Sequence, residues 1–367
     1  MKKYELKKAQ VNCQKALETC NRCLIKKSIR SGKTLCMLDY IQKKNYKRIL
    51  WVTSLADFRD YILPREMEDF GFNLNITCIC YESLKNYTNT SWDIIIADEC
   101  QKITKNYCNY LVTINANKSV YMTGTLKNTK SFEKIIYDIL RLKLVFEYTV
   151  DDAVLDHNVS DYKISLIYHE LSKEKTTFVK YSGGSFYTSD HASYTNLSIK
   201  YAKAEYDDKK KEMARLSIYM CKFLNKLTYK IEFAKQYIRE SEKNGKRVLI
   251  FAEDSKTASL ISSNTYNSKT DKSKLDDFNS KKINHLVLVN KGSVGQSYVD
   301  VDGCLLTVVN SSNDFIQQRA FRTILYRKNH VADIRILVSK NTRQERWIES
   351  ALFDIDESKI IKHVIKS

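Results

Sequence analysis

Ser31-Gly32-Lys33-Thr34 and Trp92-Asp93-Ile94-Ile95-Ile96-Ala97-Asp98-Glu99-Cys100-Gln101 are the stretches whose reading decides the fold. The first follows an apolar run, Arg22-Cys23-Leu24-Ile25, and opens a helix-length segment. A phosphate group needs backbone N–H donors at a helix start, a small residue for close approach, and a lysine. Gly32 and Lys33 supply the last two, with Arg30 and Ser31 completing the loop, and the Thr34 hydroxyl is placed to reach Mg²⁺. The second stretch is an apolar strand ending in two adjacent carboxylates. An ATPase needs Asp98 there to hold the metal through water and Glu99 to orient or deprotonate the attacking water.

Working outward, further apolar runs lie at 48–52, 76–80 and 119–122, and a second series at 247–252, 285–289, 304–309 and 334–338. They are continuous rather than alternating, the pattern of parallel strands covered on both faces. Helix-length stretches such as 34–44 and 57–70 separate them and read as crossovers. The reading is α/β, with two tandem RecA-like parallel-sheet domains. The first is expected over 1–152 and the second over 213–367. Between them, 153–212 breaks the pattern and reads as an inserted or bridging element. Tyr181-Ser182-Gly183-Gly184-Ser185-Phe186-Tyr187-Thr188 within it reads as a hairpin tip, with Lys180, Tyr181, Phe186, Tyr187 and Tyr194 mixing basic and aromatic groups.

The 367 residues suit two medium domains, and 43% hydrophobic content supplies a core for each. A disordered chain and a fibre are excluded by this composition. No apolar run reaches the roughly 20 residues of a membrane span, so no membrane association is expected. Ten cysteines with no export signal after Met1 read as reduced thiols in a cytoplasmic protein. Cys20-Asn21-Arg22-Cys23 and Cys78-Ile79-Cys80 have no matching pair at zinc spacing, and the six histidines are scattered. Sixty-one Lys and Arg against 43 Asp and Glu give a charge of +18, which points to an acidic partner, nucleic acid first.

These elements resemble a superfamily 2 helicase or translocase, in details the Swi/Snf-type and phage-type members. Gly32-Lys33-Thr34 matches motif I, Thr53-Ser54-Leu55 resembles motif Ia, and Tyr81-Glu82-Ser83-Leu84 resembles the motif Ib region. Asp98-Glu99-Cys100-Gln101 resembles motif II with Gln101 in the usual histidine's place, and Met122-Thr123-Gly124-Thr125-Leu126 resembles motif III. Lys291-Gly292-Ser293-Val294-Gly295-Gln296-Ser297 resembles motif V, and Gln317-Gln318-Arg319-Ala320-Phe321-Arg322 resembles motif VI. Arg343-Gln344-Glu345-Arg346, after Thr342, is similar to the helix start that follows motif VI. The likeness spans about residues 10 to 350.

The resemblance implies an ATP- and Mg²⁺-dependent DNA translocase or helicase, DNA being favoured over RNA by the forms of motifs III and VI. It implies catalytic roles for Lys33, Asp98, Glu99, Gln101, Arg319 and Arg322, the i, i+3 spacing of the two arginines putting them on one helical face. ATP would also meet Gly295, Gln318 and an adenine-reading glutamine, Gln10 or Gln14, with Gln10 preferred on spacing. Thr123, Gly124 and Thr125 would couple the ATP site to nucleic acid held by Thr53, Ser54, Lys127, Lys291 and Ser293. By analogy, the compact size points to a viral or phage setting, the host cytoplasm, alongside replication, repair or recombination proteins. Lys27 and Arg30 in the loop, together with Gln101, keep open a degenerate module that binds nucleic acid or a partner without turnover.

Overall fold

The amino-terminal apolar runs form strands covered on both faces. β1 (Arg22–Lys27), β2 (Ile49–Thr53), β3 (Ile76–Cys80), β4 (Ser91–Ala97) and β5 (Asn115–Thr123) join β6 (Lys143–Tyr148) in a six-stranded parallel sheet. Its order is β3-β2-β4-β5-β1-β6. Helices α1 (Lys8–Leu17) and α2 (Lys33–Lys44) cover one face, where Cys13, Leu17, Met37 and Ile41 meet Ile25, Trp51 and Ile96. On the other face Leu24, Leu50, Ile95 and Tyr121 meet Leu111, Phe132 and Ile136. β5 lies between β1 and β4, with Lys26 opposite Thr123 and Ala97 opposite Tyr121. The carboxyl ends of these three strands therefore stand side by side, where parallel α/β sheets bind ligands.

The structure is a computed structural model that describes residues 4–28, 31–126, 129–181, 184–267, 270, 272–289, 298–311 and 313–365. The chain divides into two units, Met1–Val159 and Ser160–Ser367. In the second unit the strands are β7 (Asp161–His169), β8 (Thr177–Tyr181), β9 (Gly184–Thr188), β10 (Val248–Phe251), β11 (Thr265–Tyr266), β12 (His285–Leu288), β13 (Gly303–Leu306), β14 (Val331–Ser339) and β15 (Ile360–Ile365). Seven of them form a parallel sheet ordered β11-β12-β10-β13-β14-β7-β15, and β8 with β9 forms a separate antiparallel hairpin. The expected pair of tandem parallel-sheet α/β domains is therefore present. No helix among the described residues is long and apolar enough to cross a membrane.

The stretch 153–212 is not one inserted element. Residues 153–159 close the first unit, and β7 enters the second sheet between β14 and β15. Its first half alternates, with Tyr162 and Ile164 buried and Asp161 and Lys163 exposed, so its continuous apolar run is only Leu166-Ile167-Tyr168. The hairpin does form where the glycine pair suggested one, with its tip, 182–183, outside the described residues. Helices Asp190–Tyr206 and Lys210–Asn225 follow.

The second unit is braced by a buried lysine. Lys230, on helix Thr228–Lys243, is fully buried, and Nζ donates to Thr307 O (3.1 Å), Leu337 O (3.0 Å) and Gln344 Oε1 (3.1 Å). Gln344 Nε2 donates to Asn225 Oδ1 (2.8 Å), and Asn225 Nδ2 to Glu253 Oε2 (2.9 Å). One ammonium thus satisfies carbonyls at the ends of two strands and orders the start of helix Arg343–Ala351. Truncation would leave those acceptors buried and unmet. Lys230→Met is expected to cost the second unit about 3 kcal/mol in denaturant unfolding. An unchanged midpoint would show that the acceptors find other donors.

Candidate active site in the first unit

β1 ends at Lys27, and helix α2 begins at Lys33. Gly32 caps α2 with φ 70°, a left-handed conformation that glycine adopts without strain. A Cβ there would stand 2.6 Å from Gln10 Nε2. Gln10, 4% exposed, donates from Nε2 to Gly32 O (3.0 Å) and accepts at Oε1 from Lys7 N (2.8 Å). Of the two glutamines it is Gln10 that joins the loop. Gln14 instead donates to Cys36 O (2.9 Å) and Asp39 Oδ2 (2.7 Å). Ser31 Oγ donates to Ser28 O (2.6 Å), and Lys33 Nζ donates to Lys27 O (3.1 Å), folding the lysine back over the loop. Thr34 occupies the first turn of α2, and Arg30 lies outside the described residues.

Lys27, at the loop's first position, is fully buried, and its ammonium has no hydrogen-bond partner among the described residues. Burial pulls its pKa down. Phosphate-binding loops of the G-x-x-x-x-G-K-[ST] pattern carry a glycine at this position, five residues before Gly32.

The second half of the site follows β4. Asp98 is buried, and its carbonyl accepts from the buried Tyr81 hydroxyl (3.0 Å), which fixes the strand end. Burial, reinforced by the adjacent Glu99 charge, lifts the Asp98 carboxyl to about 7, while Lys33 acts in the opposite direction. Glu99 has φ 54°, which turns the chain sharply after β4, and its N–H donates to Asp98 Oδ1 (3.0 Å).

Gln101 links the carboxylates to the end of β5. It is fully buried, and its Nε2 donates to Glu99 Oε2. The Thr123 hydroxyl donates to Gln101 Oε1 (2.7 Å) and accepts from Thr125 N (3.0 Å). Thr123 and Thr125 are buried, and Gly124 forms the bend between them. A hydrogen-bonded line therefore runs from Glu99 through Gln101 and Thr123 to Thr125. No group of three or more His, Cys, Asp or Glu among the described residues could hold a metal on its own. Thr34 and Asp98 carry the oxygen donors that Mg²⁺ prefers.

Other expected site residues are placed differently. Thr53 ends β2 fully buried, its Oγ1 accepting from Leu55 N (3.4 Å), so its side chain is not offered to a ligand; Ser54 beside it is partly exposed. Helix Asn313–Ala320 ends before Arg322, which sits in the following turn, so the two arginines do not share a helical face. Arg319 is 1% exposed, with its guanidinium 3.4 Å from the Phe315 ring centre, and burial pulls it down to about 9 against the nearby Glu253 charge. Arg322 and Gln318 are partly exposed. Lys127, Lys291, Ser293 and Gly295 lie outside the described residues. The sequence reading missed Lys230, Asn225 and Glu253, whose only sequence signal is a polar residue on an otherwise apolar face or strand end.

No protein-family model matches the chain, and no curated protein matches it. Solved structures do. The ATP-dependent Type ISP restriction-modification enzyme LlaBIII bound to DNA aligns over 99% of this chain and 32% of its own, with TM-score 0.62 and 12% identity. The Hef helicase domain of Pyrococcus furiosus aligns over 93% of this chain and 96% of its own, with TM-score 0.55 and 13% identity. The Sulfolobus solfataricus SWI2/SNF2 ATPase core in complex with dsDNA aligns over 97% and 92%, with TM-score 0.40 and 13% identity.

An acid whose folded pKa exceeds its unfolded value of 3.8 binds more protons when folded. Its contribution to stability is full below about pH 4 and is lost as pH rises through about 7. Asp98→Asn is expected to flatten the fall of the first unit's thermal midpoint across that window and to raise the midpoint at about pH 8. Parallel profiles for the two proteins would contradict this. With two parallel-sheet units and these neighbours, the chain shares the fold of the Hef helicase domain and of the aligned part of LlaBIII.

Proposed function

We propose that the chain is a DNA-stimulated ATPase that acts as a translocase or helicase. The observation carrying this reading is the buried line from Glu99 through Gln101 to Thr123, set beside Lys33 and Asp98. Lys33 would leave Lys27 O to meet the β- and γ-phosphates, with Ser31, Gly32 and the α2 N-terminus supplying N–H donors. Thr34 and Asp98 would hold Mg²⁺, which when bound neutralises charge on the phosphates. Glu99 would orient or deprotonate the attacking water, and Gln101 holds the Glu99 carboxylate in place. Gln10, tied to Gly32, would read the nucleotide's base edge.

Thr123, Gly124 and Thr125 would carry the state of this site to the nucleic-acid face through Gln101. In the second unit, Arg322 would meet phosphate and Arg319, packed against Phe315, would brace it. Gly295 and Gln318 are proposed at the same nucleotide. Ser54, Lys127, Lys291 and Ser293 would meet DNA backbone phosphates, which makes binding salt-sensitive and tolerant of sequence. LlaBIII, which was solved on DNA, supports DNA over RNA. Lys27, buried with no hydrogen-bond partner among the described residues, favours the second reading, a degenerate module that binds nucleotide without turnover.

Hydrolysis compared across single-stranded, duplex, forked and RNA substrates at two salt concentrations tests the proposal. DNA is expected to stimulate phosphate release, less so at high salt. Lys33→Ala and Glu99→Gln are each expected to lower the stimulated rate by about 10²-fold or more. Gln101→Ala should reduce the stimulation by DNA more than the basal rate. Nucleotide binding with no phosphate release on any nucleic acid would overturn the proposal in favour of the degenerate module.

A further inference from the structure

The turn joining α1 to β1 carries Cys20, and the second residue of β1 is Cys23; their sulphurs stand 2.7 Å apart. A disulfide bond is about 2.05 Å long, so little movement separates this pair from bond formation. The two thiols differ in access. Cys20 is partly exposed, whereas Cys23 is fully buried with Sγ against Cys20 O (2.9 Å) and Leu17 O (3.6 Å). Burial pushes Cys23 up to about 12. Lys118, itself 6% exposed, reaches across from β5 and donates to Leu17 O and Cys20 O, the carbonyls that bracket the turn. Its charge opposes the effect of burial on Cys23. Among the described residues no third His, Cys, Asp or Glu joins them to make a metal site.

We propose that Cys20 and Cys23 are a redox-active dithiol that a small-molecule disulfide such as oxidised glutathione converts to an intramolecular disulfide. A partly exposed thiol separated by two residues from a buried one, beside an ammonium, is the arrangement in which such exchange proceeds. The Cys20 thiolate attacks one sulphur of oxidised glutathione, forming a mixed disulfide and releasing one glutathione thiolate. Cys23 then gives up its proton, attacks the Cys20 sulphur and releases the second glutathione. Two protein thiols are oxidised and one disulfide is reduced to two thiols. The new bond closes the turn between α1, whose Gln10 holds Gly32, and β1, which leads into the phosphate loop. Redox state would thereby set how freely α1 moves against the loop.

The full chain equilibrated over a series of oxidised-to-reduced glutathione ratios, then alkylated and digested with trypsin, tests this. Cleavage after Arg22 separates the two cysteines, so a disulfide would hold two peptides together. The linked pair is expected to rise with the ratio and to revert on adding reduced glutathione. Cys23→Ser should stop at a glutathione adduct on Cys20, and Cys20→Ser should leave Cys23 unmodified. Alkylation of both cysteines at every ratio, a stable adduct on wild-type Cys20, or linkage to any other cysteine would overturn the proposal. The wild-type measurement decides the matter even if a variant fails to fold.

Discussion

Gln101 is the residue on which the candidate site depends. It is fully buried, so its amide must find partners inside the protein, and it finds Glu99 on one side and Thr123 on the other. Because β5 runs between β1 and β4, Thr123 is the point where loop and carboxylates meet. A side chain able only to accept, or only to donate, would leave Glu99 or Thr123 unmet. An amide does both, so glutamine meets both neighbours at once.

The electrostatics of the site agree with a cationic and phosphorylated occupant. Two adjacent carboxyls at a buried strand end, with Asp98 lifted to about 7, form a place short of positive charge. The helix start at Gly32 and the lysine folded onto Lys27 O form a place short of negative charge. A nucleoside triphosphate with its metal supplies both.

The first sheet was almost wholly legible because five of its strands are continuous apolar runs, buried on both faces. β6 and β7 were not, since Lys143 and Glu147 bracket a three-residue apolar run in β6, and Asp161 and Lys163 interrupt the first half of β7. The site split along the same line. Gln10, Gly32, Lys33, Asp98 and Glu99 sit in local patterns, so order and spacing exposed them. Whether Thr53 faces inward, where the helix carrying Arg319 stops, and which acceptors surround Lys230 depend on contacts between residues far apart in the chain. No local spacing encodes those contacts.

The central claim is that the carboxyl edge of the first sheet binds a nucleoside triphosphate. Hydrogen–deuterium exchange of the full chain, with and without a non-hydrolysable ATP analogue and Mg²⁺, tests it most directly. Exchange is expected to slow in peptides covering 26–36 and 96–101 together. Unchanged exchange in both segments at saturating analogue, with the chain folded, would contradict the account.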